Sequence, residues 1–554
     1  SSGTLLIDLP NPNSHKPGTK NGGISLGEQS FVIFDGSAGT IQIDDTLVMN
    51  NNQVLVGSGV SIHVKGERFG LPATYTTPQT RPRLLGADDD VDTIVLPLER
   101  GAVIGLDLVG GRNGITGDGA SDALITLNRI SGANYVEGEL SGNGIYLKNL
   151  ADGFVITSNV LEGNDRAGLY VEGSFPVGIS YNTLRENGTG MHFSTDVEGS
   201  ITENTIEENR QYGIRVFGDV HGDIANNTII ENEQTGIMVA ETVFGSIRNN
   251  QAMKNGRHAI HVEGDVLGEV RDNILEDNHY YGVLIGGDVG GDILRNIATD
   301  NGGGLSVGGD VMGNIKDNQA LENNGDALRT NGDVFGSVMS NSVLGNGGDG
   351  IKLLGTVHGS IALNTSSEND GDGIHAEMGI KGDVINNTTL SNGSNGIEVW
   401  PFIGGQVAHN DAHHNGKNGI EVVNVAGDII RNRVNDNGRK RYSTGASGLS
   451  IAGGFGGEVA ENEARNNYSE GILLIVQPQE QVIARDNLLV GNNRMRHEFM
   501  VEKWGNSSGP VFVTLIDNTS RNDLGGGTGY DYRHELYSEI RLIDGGGNFG
   551  LIEP

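Results

Sequence analysis

Short runs of alternating apolar and polar residues recur along most of the chain. The stretches 213–216, 217–224 and 226–229 each alternate in this way and are separated by Gly, Asn and Asp. Alternation over four or five residues predicts short β-strands. No segment keeps a 3.6-residue period, and the 89 glycines disfavour helices. The pattern therefore predicts an all-β chain.

The predicted strands return with a fixed period. The glycine of a Gly-x-(Ile/Val) step recurs every 22 or 23 residues, at Gly199, Gly222, Gly245, Gly268, Gly291, Gly313, Gly336, Gly359, Gly382, Gly405 and Gly427. A Gly-Ile-x-Val step keeps the same period, with Ala259 and Ala327 in two of the glycine positions. A period this short indicates one supersecondary unit stacked many times, and the leucine-rich alternative lacks both its L-x-x-L-x-L motif and its helical half. We predict a parallel β-solenoid, in which equivalent residues of successive coils become neighbours.

Two columns of asparagine support this arrangement. One runs through Asn182, Asn204, Asn227, Asn250, Asn273, Asn296, Asn318, Asn341, Asn364, Asn387, Asn410 and Asn432. The other runs through Asn209, Asn232, Asn255, Asn278, Asn301, Asn323, Asn346, Asn369, Asn392, Asn415 and Asn437. Stacked Asn side chains form hydrogen-bonded ladders with a rung about every 4.8 Å, and Asn tolerates the left-handed turn conformation. We interpret both columns as structural.

The pattern I-x-x-N-x-[IL]-x-x-N-x-x-x-G-I-x-[VL], seen in residues 224–239, resembles the repeats of right-handed parallel β-helix proteins. That pectin-lyase-like group includes carbohydrate-binding proteins, sugar hydrolases, pectate lyases and alginate epimerases. The resemblance covers about residues 140–490 and implies a single-stranded right-handed β-helix. The signature motifs of pectate lyases, alginate epimerases and polygalacturonases are absent or fragmentary, so the resemblance transfers no catalytic residue.

The regular repeat also suggests boundaries. Residues 1–140 contain less regular β runs and are predicted to form a cap and the entry coils. Residues 141–494 are predicted to be regular coils, and residues 495–554, which gain charge and aromatics, a C-terminal cap. A solenoid needs atypical ends because its terminal coils expose unpaired strand edges. We expect about 20 coils in one long domain.

Composition narrows the possible partners. A net charge of −34 argues against nucleic acid, since a phosphate backbone requires a basic surface. No apolar run is long enough to span a membrane. The chain has no cysteine. Extracellular or cell-surface location is an expectation from the family resemblance. The carboxylates are interpreted mainly as solvated turns, with Ca²⁺ binding as the alternative.

In each Gly-Ile-x-Val step the Ile and Val are predicted to face the core and the residue between them to face outward. The outward column reads Tyr146, Tyr170, His192, Arg215, Met238, His261, Leu284, Ser306, Arg329, Lys352, His375, Glu398, Glu421, Ser450 and Leu473. Enzymes of the resembled family use such a face for extended sugar chains. Tyr146 and His261 are candidate substrate-binding residues in this column.

One part of the column combines Tyr170, His192 and Arg215. Uronate lyases and epimerases need a base, an acid and a cation at the sugar carboxylate. Tyr, His and Arg supply these groups, so the three residues are candidate catalytic residues. A varied polar surface is the alternative.

A second part combines candidate substrate-binding residues Arg329, Glu398 and Glu421 with candidate catalytic residues Lys352 and His375. Three positions before Arg329, Lys352 and His375 stand Asp326, Asp349 and Asp372. We favour electrostatic pairing of these two columns between coils. The alternatives are Ca²⁺ ligation by the three aspartates and the paired acids of glycoside hydrolysis, which must lie about 5 to 9.5 Å apart.

The repeat lengthens between Gly419 and Gly448. The extra residues include Arg439, Lys440, Arg441 and Tyr442, a basic loop that is a candidate grip for an anionic glycan. Inserted loops often carry function, although a tolerated insertion is an equal alternative.

Two functions stay open at this point. The even repeat and the missing motifs favour a non-catalytic extracellular protein that binds polysaccharide or acts as an adhesin. The Tyr170, His192 and Arg215 cluster and the basic insertion favour a polysaccharide lyase, epimerase or hydrolase. A trimeric spike is a third possibility, for which exposed Met238 and Leu284 are the only signal.

Overall fold

The computed structural model describes residues 31–58, 61–65, 72–77, 79–86, 90–438, 446–492, 497–504, 510–521, 530–534, 540–546 and 548. The chain forms an all-β parallel solenoid of about 19 turns with about 23 residues per turn. It divides into two compact units, Ser1–Gly268 and Glu269–Pro554, here called unit 1 and unit 2. The fold predicted from the repeat is confirmed.

Each unit contains three parallel sheets, because each coil contributes one short strand to each sheet. The unit 1 strands of sheet 1 are Phe31–Ile33, Val54–Val56, Ala102–Ile104, Leu124–Thr126, Val155–Thr157, Ile179–Ser180, Ile201–Thr202, Ile224–Ala225 and Ile247–Arg248. Those of sheet 2 are Thr40–Gln42, Arg83–Leu85, Asp107–Val109, Arg129–Ser131, Val160–Glu162, Thr183–Arg185, Thr205–Glu207, Thr228–Ile230 and Gln251–Met253. Those of sheet 3 are Leu47–Val48, Ile94–Val95, Asn113–Asp118, Asn143–Lys148, Ala167–Glu172, Thr189–Phe193, Ile214–Val216, Ile237–Val239 and Ile260–Val262.

Unit 2 repeats the arrangement. Its sheet 1 strands are Val270–Arg271, Ile293–Leu294, Ile315–Lys316, Val338–Met339, Ile361–Ala362, Val384–Ile385, Val407–Ala408, Ile429–Ile430, Val459–Ala460, Gln481–Arg485, Val511–Ile516 and Ile540–Asp544. Its sheet 2 strands are Ile274–Glu276, Ile297–Thr299, Gln319–Leu321, Ser342–Leu344, Thr365–Ser367, Thr388–Leu390, Asp411–His413, Arg433–Asn435, Glu463–Arg465, Leu488–Val490 and Thr519–Arg521. Its sheet 3 strands are Tyr281–Ile285, Gly303–Val307, Leu328–Thr330, Ile351–Leu353, Ile374–Ala376, Ile397–Val399, Ile420–Val425, Leu449–Phe455, Ile472–Val476, His497–Lys503 and Tyr530–His534.

Among the described residues, two elements depart from the coil pattern, both in unit 1. Ser61–Lys65 and Pro72–Thr76 form an antiparallel hairpin. Gly36–Ala38 is a 3₁₀ turn whose start is capped by the Asp35 carboxylate. Within the described ranges no helix is long and apolar enough to cross a membrane.

The core follows the predicted alternation. In the step at 214–216, Ile214 and Val216 are fully buried and Arg215 between them is half-buried. Strands pair in register with the equivalent strand one coil on, as Ile351 does with Ile374 in unit 2. The inward positions therefore form continuous apolar columns, and burial of these columns is the main stabilising contribution.

Both asparagine ladders are present and buried. In unit 2 the Asn364 amide donates to the backbone oxygen of Val338 at 2.9 Å and to Asn387 Oδ1 at 3.0 Å. Its own Oδ1 accepts from the backbone N–H and from the side-chain amide of Asn341, both at 3.0 Å. The structural interpretation of the Asn columns is thus confirmed.

The left-handed residues of these turns are not the ladder asparagines. They are the residues immediately before them, such as Glu203 with φ 56°, Glu208 with φ 55° and Leu363 with φ 58°. Such a conformation costs a non-glycine residue free energy. The buried amide bonds of the following asparagine fix the turn and offset this cost.

Candidate functional site

The outward face of sheet 3 in unit 2 bears a row of charged side chains at consecutive rungs. Arg329 pairs in register with Lys352, Lys352 with His375, His375 with Glu398, and Glu398 with Glu421. All five are half-buried, while their strand neighbours face the core. We call these five residues the charged column. Its sign changes along the sheet, from cations at Arg329 to carboxylates at Glu421.

Beside it runs a ladder of aspartates that also holds the backbone. Asp326 Oδ1 accepts the backbone N–H of Asp349 at 2.8 Å, and Asp349 Oδ1 accepts that of Asp372 at 2.7 Å. Asp372 Oδ1 accepts that of Asn395 at 2.6 Å, and Asn395 Oδ1 accepts that of Asn418 at 3.0 Å. One carboxylate oxygen of each aspartate is therefore structural, and the other faces the charged column.

Charged residues of the two columns pair between coils, as predicted, at His375, whereas Arg329 and Lys352 pair within their own coil. Arg329 Nη1 lies 3.3 Å from Asp326 Oδ2, and Lys352 Nζ lies 2.8 Å from Asp349 Oδ2. These pairs form within one coil, since the residues are three positions apart. His375 behaves differently, because its Nδ1 lies 3.5 Å from Asp349 Oδ2 of the preceding coil and 3.8 Å from Asp372 Oδ2.

Asp349, Asp372 and His375 form one cluster, called here the carboxylate cluster. Their potential ligand atoms all lie within 4.8 Å of one another. Both carboxylates are buried. The sequence alone placed Asp326 in this group, but that residue lies outside the cluster, and its carboxylate is paired with Arg329.

The pKa values of Asp349 and Asp372 are shifted in opposite directions. Burial raises the pKa of Asp349, but hydrogen bonds from His375, from Lys352 and from the Asp372 backbone outweigh burial and hold this pKa well below its usual range. Burial, together with the charges of Glu398 and Asp349, raises the pKa of Asp372. The hydrogen bond to Asp349 raises the pKa of His375 more than burial lowers it. Two carboxyl groups whose pKa values are pushed apart are typical of acid–base catalysis.

The cluster is a weak match to a calcium site. Ca²⁺ takes six to eight oxygen ligands, whereas this cluster offers two carboxylates and an imidazole nitrogen, with the Lys352 ammonium on Asp349. Calcium ligation by Asp326, Asp349 and Asp372 stays a prediction.

A cleft of about 300 Å³ adjoins the acidic end of the charged column. It is lined by Trp400, Glu421, Val422, Val423, Ser450, Ala452, Ile475 and Trp504. The two tryptophans are the only ones in the sequence, and they are 39% and 37% exposed. Each directly follows a sheet 3 strand, 397–399 and 497–503 respectively. The sequence analysis missed them, since neither lies in the outward column.

In unit 1, Tyr146, Tyr170, His192 and Arg215 lie on consecutive sheet 3 strands, as predicted. The Tyr170 and His192 rings stack at 4.4 Å, and the Tyr146 ring is 5.7 Å from Tyr170. Tyr170 is only 7% exposed, because these rings and the Arg166 guanidinium cover it. The Tyr146 hydroxyl donates to Glu172 at 2.6 Å. These rings therefore form a stack that covers Tyr170, and the catalytic role of Tyr170, His192 and Arg215 stays a prediction.

Of the predicted residues that the structure describes, His261 remains. His261 lies beside His258 in unit 1, with ring centres 4.9 Å apart, and burial lowers its pKa. The basic loop residues Arg439, Lys440, Arg441 and Tyr442 lie outside the described residues.

The repeat matches one known protein family. Residues 143–290 and 259–402 match the family model described as "Right handed beta helix region". Residues 143–402 are a right-handed β-helix region. No curated protein matches the sequence significantly. The β-helix resembles the A-module of the mannuronan C-5 epimerase AlgE6 of Azotobacter vinelandii at 13% identity and a TM-score of 0.16, over 94% of this chain and 92% of the other.

A second solved structure is the catalytic unit of a thermostable GH87 α-1,3-glucanase from Streptomyces thermodiastaticus strain HF3-3. It is 10% identical, with a TM-score of 0.14, and the match covers 93% of this chain and 63% of the glucanase chain. The β-helix thus spans under two thirds of that chain. Likenesses at this level carry no information about the activity of this protein.

His192 provides a pH-dependent prediction. Burial, followed by the charges of Arg215 and Arg166, lowers its pKa from 6.5 to about 4. Since the folded pKa lies below the unfolded value, the stability of unit 1 should fall as the pH drops from 6.5 towards 4. An NMR titration of the His192 ring should give a midpoint near 4, and His192→Gln should reduce the acid sensitivity of unfolding in this window. A midpoint near 6.5 would contradict the buried stack.

Proposed function

We propose that the β-helix binds a neutral polysaccharide across the outward face of sheet 3 in unit 2, with the tryptophan cleft as its anchoring subsite. The observation that supports this most directly is the cleft itself. Two half-exposed indole rings flank a floor of Val423, Ser450 and Ala452. Ligand pockets are mostly apolar and aromatic with a few placed polar groups, and range upward from about 300 Å³. A sugar ring, with apolar faces and a polar rim, suits such a lining.

The charge of the cleft favours a neutral ligand. Glu421 is the one charged side chain that lines it, and Glu398 follows on the adjacent rung of the charged column. Asn418 and Asn395 donate to these carboxylates at 2.8 and 2.7 Å, which leaves the carboxylates as acceptors for sugar hydroxyls. A uronate at this position would meet like charges, which is unfavourable.

The carboxylate cluster favours a second, catalytic function, hydrolysis of a glycosidic bond of the bound chain. Its nearest carboxylate oxygens lie within 4.8 Å, close to the roughly 5–5.5 Å of retaining glycosidases. Asp372, with its raised pKa, donates a proton to the leaving glycosidic oxygen. The ionised Asp349 attacks the anomeric carbon. Water then displaces Asp349, transferring its proton back to Asp372 and leaving a new reducing end.

The geometry links the two functions. Glu398 separates His375 of the cluster from Glu421 of the cleft. Two rungs of a parallel sheet span about 10 Å. A glycan anchored between the tryptophans and running along the charged column therefore reaches the cluster within a few sugar residues.

Because the proposed ligand is a polysaccharide, we also propose an extracellular or cell-surface location. Fractionation of the producing cells tests this location.

Removal of the tryptophans tests the binding site. Trp400→Ala and Trp504→Ala are each expected to weaken binding of the neutral glycan by about tenfold. Each variant loses an aromatic contact of roughly 1–2 kcal/mol. Affinity electrophoresis against a panel of neutral and acidic polysaccharides identifies the glycan, and calorimetry with its oligosaccharides gives the affinities.

Phe335→Ala is the matched control. Phe335 is also in unit 2 and is 44% exposed, but it does not line the cleft. Its removal should leave binding unchanged. Equal affinities for the parent and both tryptophan variants would contradict the proposed subsite. Binding without new reducing ends would support the binding or adhesin function and contradict the proposed hydrolysis.

A further inference from the structure

Two arginines of unit 1 lie over aromatic rings and have no carboxylate partner among the described residues. The guanidinium carbon of Arg215 is 4.2 Å from the ring centre of Phe217 and 4.6 Å from that of Tyr212. That of Arg166 is 4.8 Å from the ring centre of Tyr170. Arg166 Nη1 donates to the backbone oxygen of Glu139 at 3.3 Å. The Arg215 guanidinium makes no hydrogen bond to any described residue.

Other arginines of unit 1 are bound to carboxylates. Elsewhere in unit 1, Arg112, Arg185 and Arg248 bind carboxylates at 2.8, 2.6 and 2.9 Å. With a net charge of −34, acidic partners are plentiful. Arg166 and Arg215 are instead positioned by rings, so their remaining N–H groups are available to a ligand. Guanidinium stacked on an aromatic ring is pre-organised and loses less conformational entropy on binding.

The two arginines converge on one imidazole. Tyr170, His192 and Arg215 pair in register on consecutive strands. The charges of both Arg215 and Arg166 act on His192 and, with burial, lower its pKa so that it is neutral at physiological pH. A neutral imidazole retains one N–H donor. On the Tyr146 side, the Glu172 carboxylate accepts the Tyr146 hydroxyl.

We propose that Arg166, His192 and Arg215 form a binding site for the carboxylate or sulfate group of an acidic saccharide. Guanidinium groups bind planar and tetrahedral oxyanions through paired, charge-assisted hydrogen bonds. Phe217, 41% exposed beside Arg215, supplies an apolar surface for the ring that bears the anion. This site is independent of the neutral-glycan cleft, since it lies in unit 1 and has the opposite charge.

The test is calorimetry on the full chain with dextran sulfate and with oligogalacturonate, and with uncharged dextran as the neutral probe. At low salt we expect binding of at least one acidic probe, and the stronger of the two shows whether sulfate or carboxylate is preferred. The double variant Arg166→Ala/Arg215→Ala should weaken this binding by at least about tenfold. Arg215→Lys should give an intermediate loss, because lysine keeps the charge but not the planar fork.

Arg248→Ala is the matched control. Arg248 is an arginine of the same unit whose side chain is bound to Asp223, and its removal should leave the affinity for the acidic probes unchanged. A second readout is the NMR titration of His192. A bound anion offsets the two guanidinium charges, so saturation with the acidic probe should raise the pKa of His192 in the parent chain.

Two results would overturn the site. One is equal binding of the acidic probes by the parent, the double variant and Arg248→Ala. That result would mean that the probes bind by nonspecific electrostatic attraction at other parts of the surface. The other is no binding of either acidic probe by the parent at low salt. Trp400→Ala/Trp504→Ala should bind the acidic probes normally, so failure of the unit 2 cleft and failure of this site are distinguishable.

Discussion

Replacement of Asp372 by asparagine is expected to lower the rate of glycosidic-bond hydrolysis by about a hundred- to ten-thousandfold, the usual contribution of a general acid. The side chain keeps its size and its Oδ1, which accepts the Asn395 backbone N–H, but it can no longer donate a proton. The ladder tolerates this amide, because Asn395 and Asn418 occupy the next two ladder positions. Reducing ends released from the neutral glycan give the rate.

Asp326→Asn is the control for this prediction. It makes the same substitution in the same ladder, but Asp326 is paired with Arg329 and lies outside the carboxylate cluster. Its activity should match the parent. Equal rates for Asp372→Asn and Asp326→Asn would mean that the cluster is only electrostatic. Asp349→Asn should lose as much rate as Asp372→Asn, because the nucleophile is then absent.

The rate of hydrolysis is expected to depend on pH in a defined direction. Asp372 must be protonated to act as the acid, and its pKa is raised, so the rate should fall as the pH rises through that raised value. Asp349 must be ionised, and its pKa is held below the usual range. Loss of rate on the acidic side should therefore occur at unusually low pH.

The second large effect is on stability. Asn364→Ala is expected to destabilise unit 2 by roughly 3–6 kcal/mol, since it leaves several buried polar groups without partners at about 1–3 kcal/mol each. The amide donates two hydrogen bonds and accepts two others. Urea unfolding followed by circular dichroism measures the loss as a lower midpoint.

Asn324→Ala is the matched control, because Asn324 is an exposed asparagine of the same unit whose backbone N–H, and not its side chain, bonds to Asn301. It should cost little. Because each coil contacts mainly its neighbours, the damage at Asn364 should be local, and unit 1 should unfold as in the parent. Equal midpoints for the two variants would show that the ladder contributes little to stability.

The fold was readable from the sequence because a solenoid converts sequence period into spatial register. Ile214 and Val216 are buried as the alternation predicts, and Asn364 bonds to Asn341 and Asn387 as its column predicts. Alternation and period are local properties, and the same strand pairing recurs at each coil. Residues in one column therefore needed no knowledge of distant contacts.

The candidate sites could be predicted from the sequence only in part. The columns correctly placed Asp349 on one coil and Asp372 and His375 on the next, yet the sequence did not show that His375 reaches back to Asp349. It also assigned an open face to Tyr170, which the neighbouring rings and Arg166 cover. Side-chain direction within a column depends on contacts between coils, which sequence spacing does not encode.

By itself, then, the sequence determined the parallel β-solenoid, the period, the buried columns and the rungs on which the charged residues lie, because hydrophobic alternation and side-chain amide ladders act between nearest neighbours. Only the tertiary structure decided that the pKa of Asp372 is raised while that of Asp349 is lowered. It also decided that Asp326 lies outside the cluster and that Trp400 and Trp504 line one cleft. Those features depend on burial and on distances between side chains of different coils, and a repeat fixes the position of a residue but not the direction of its side chain.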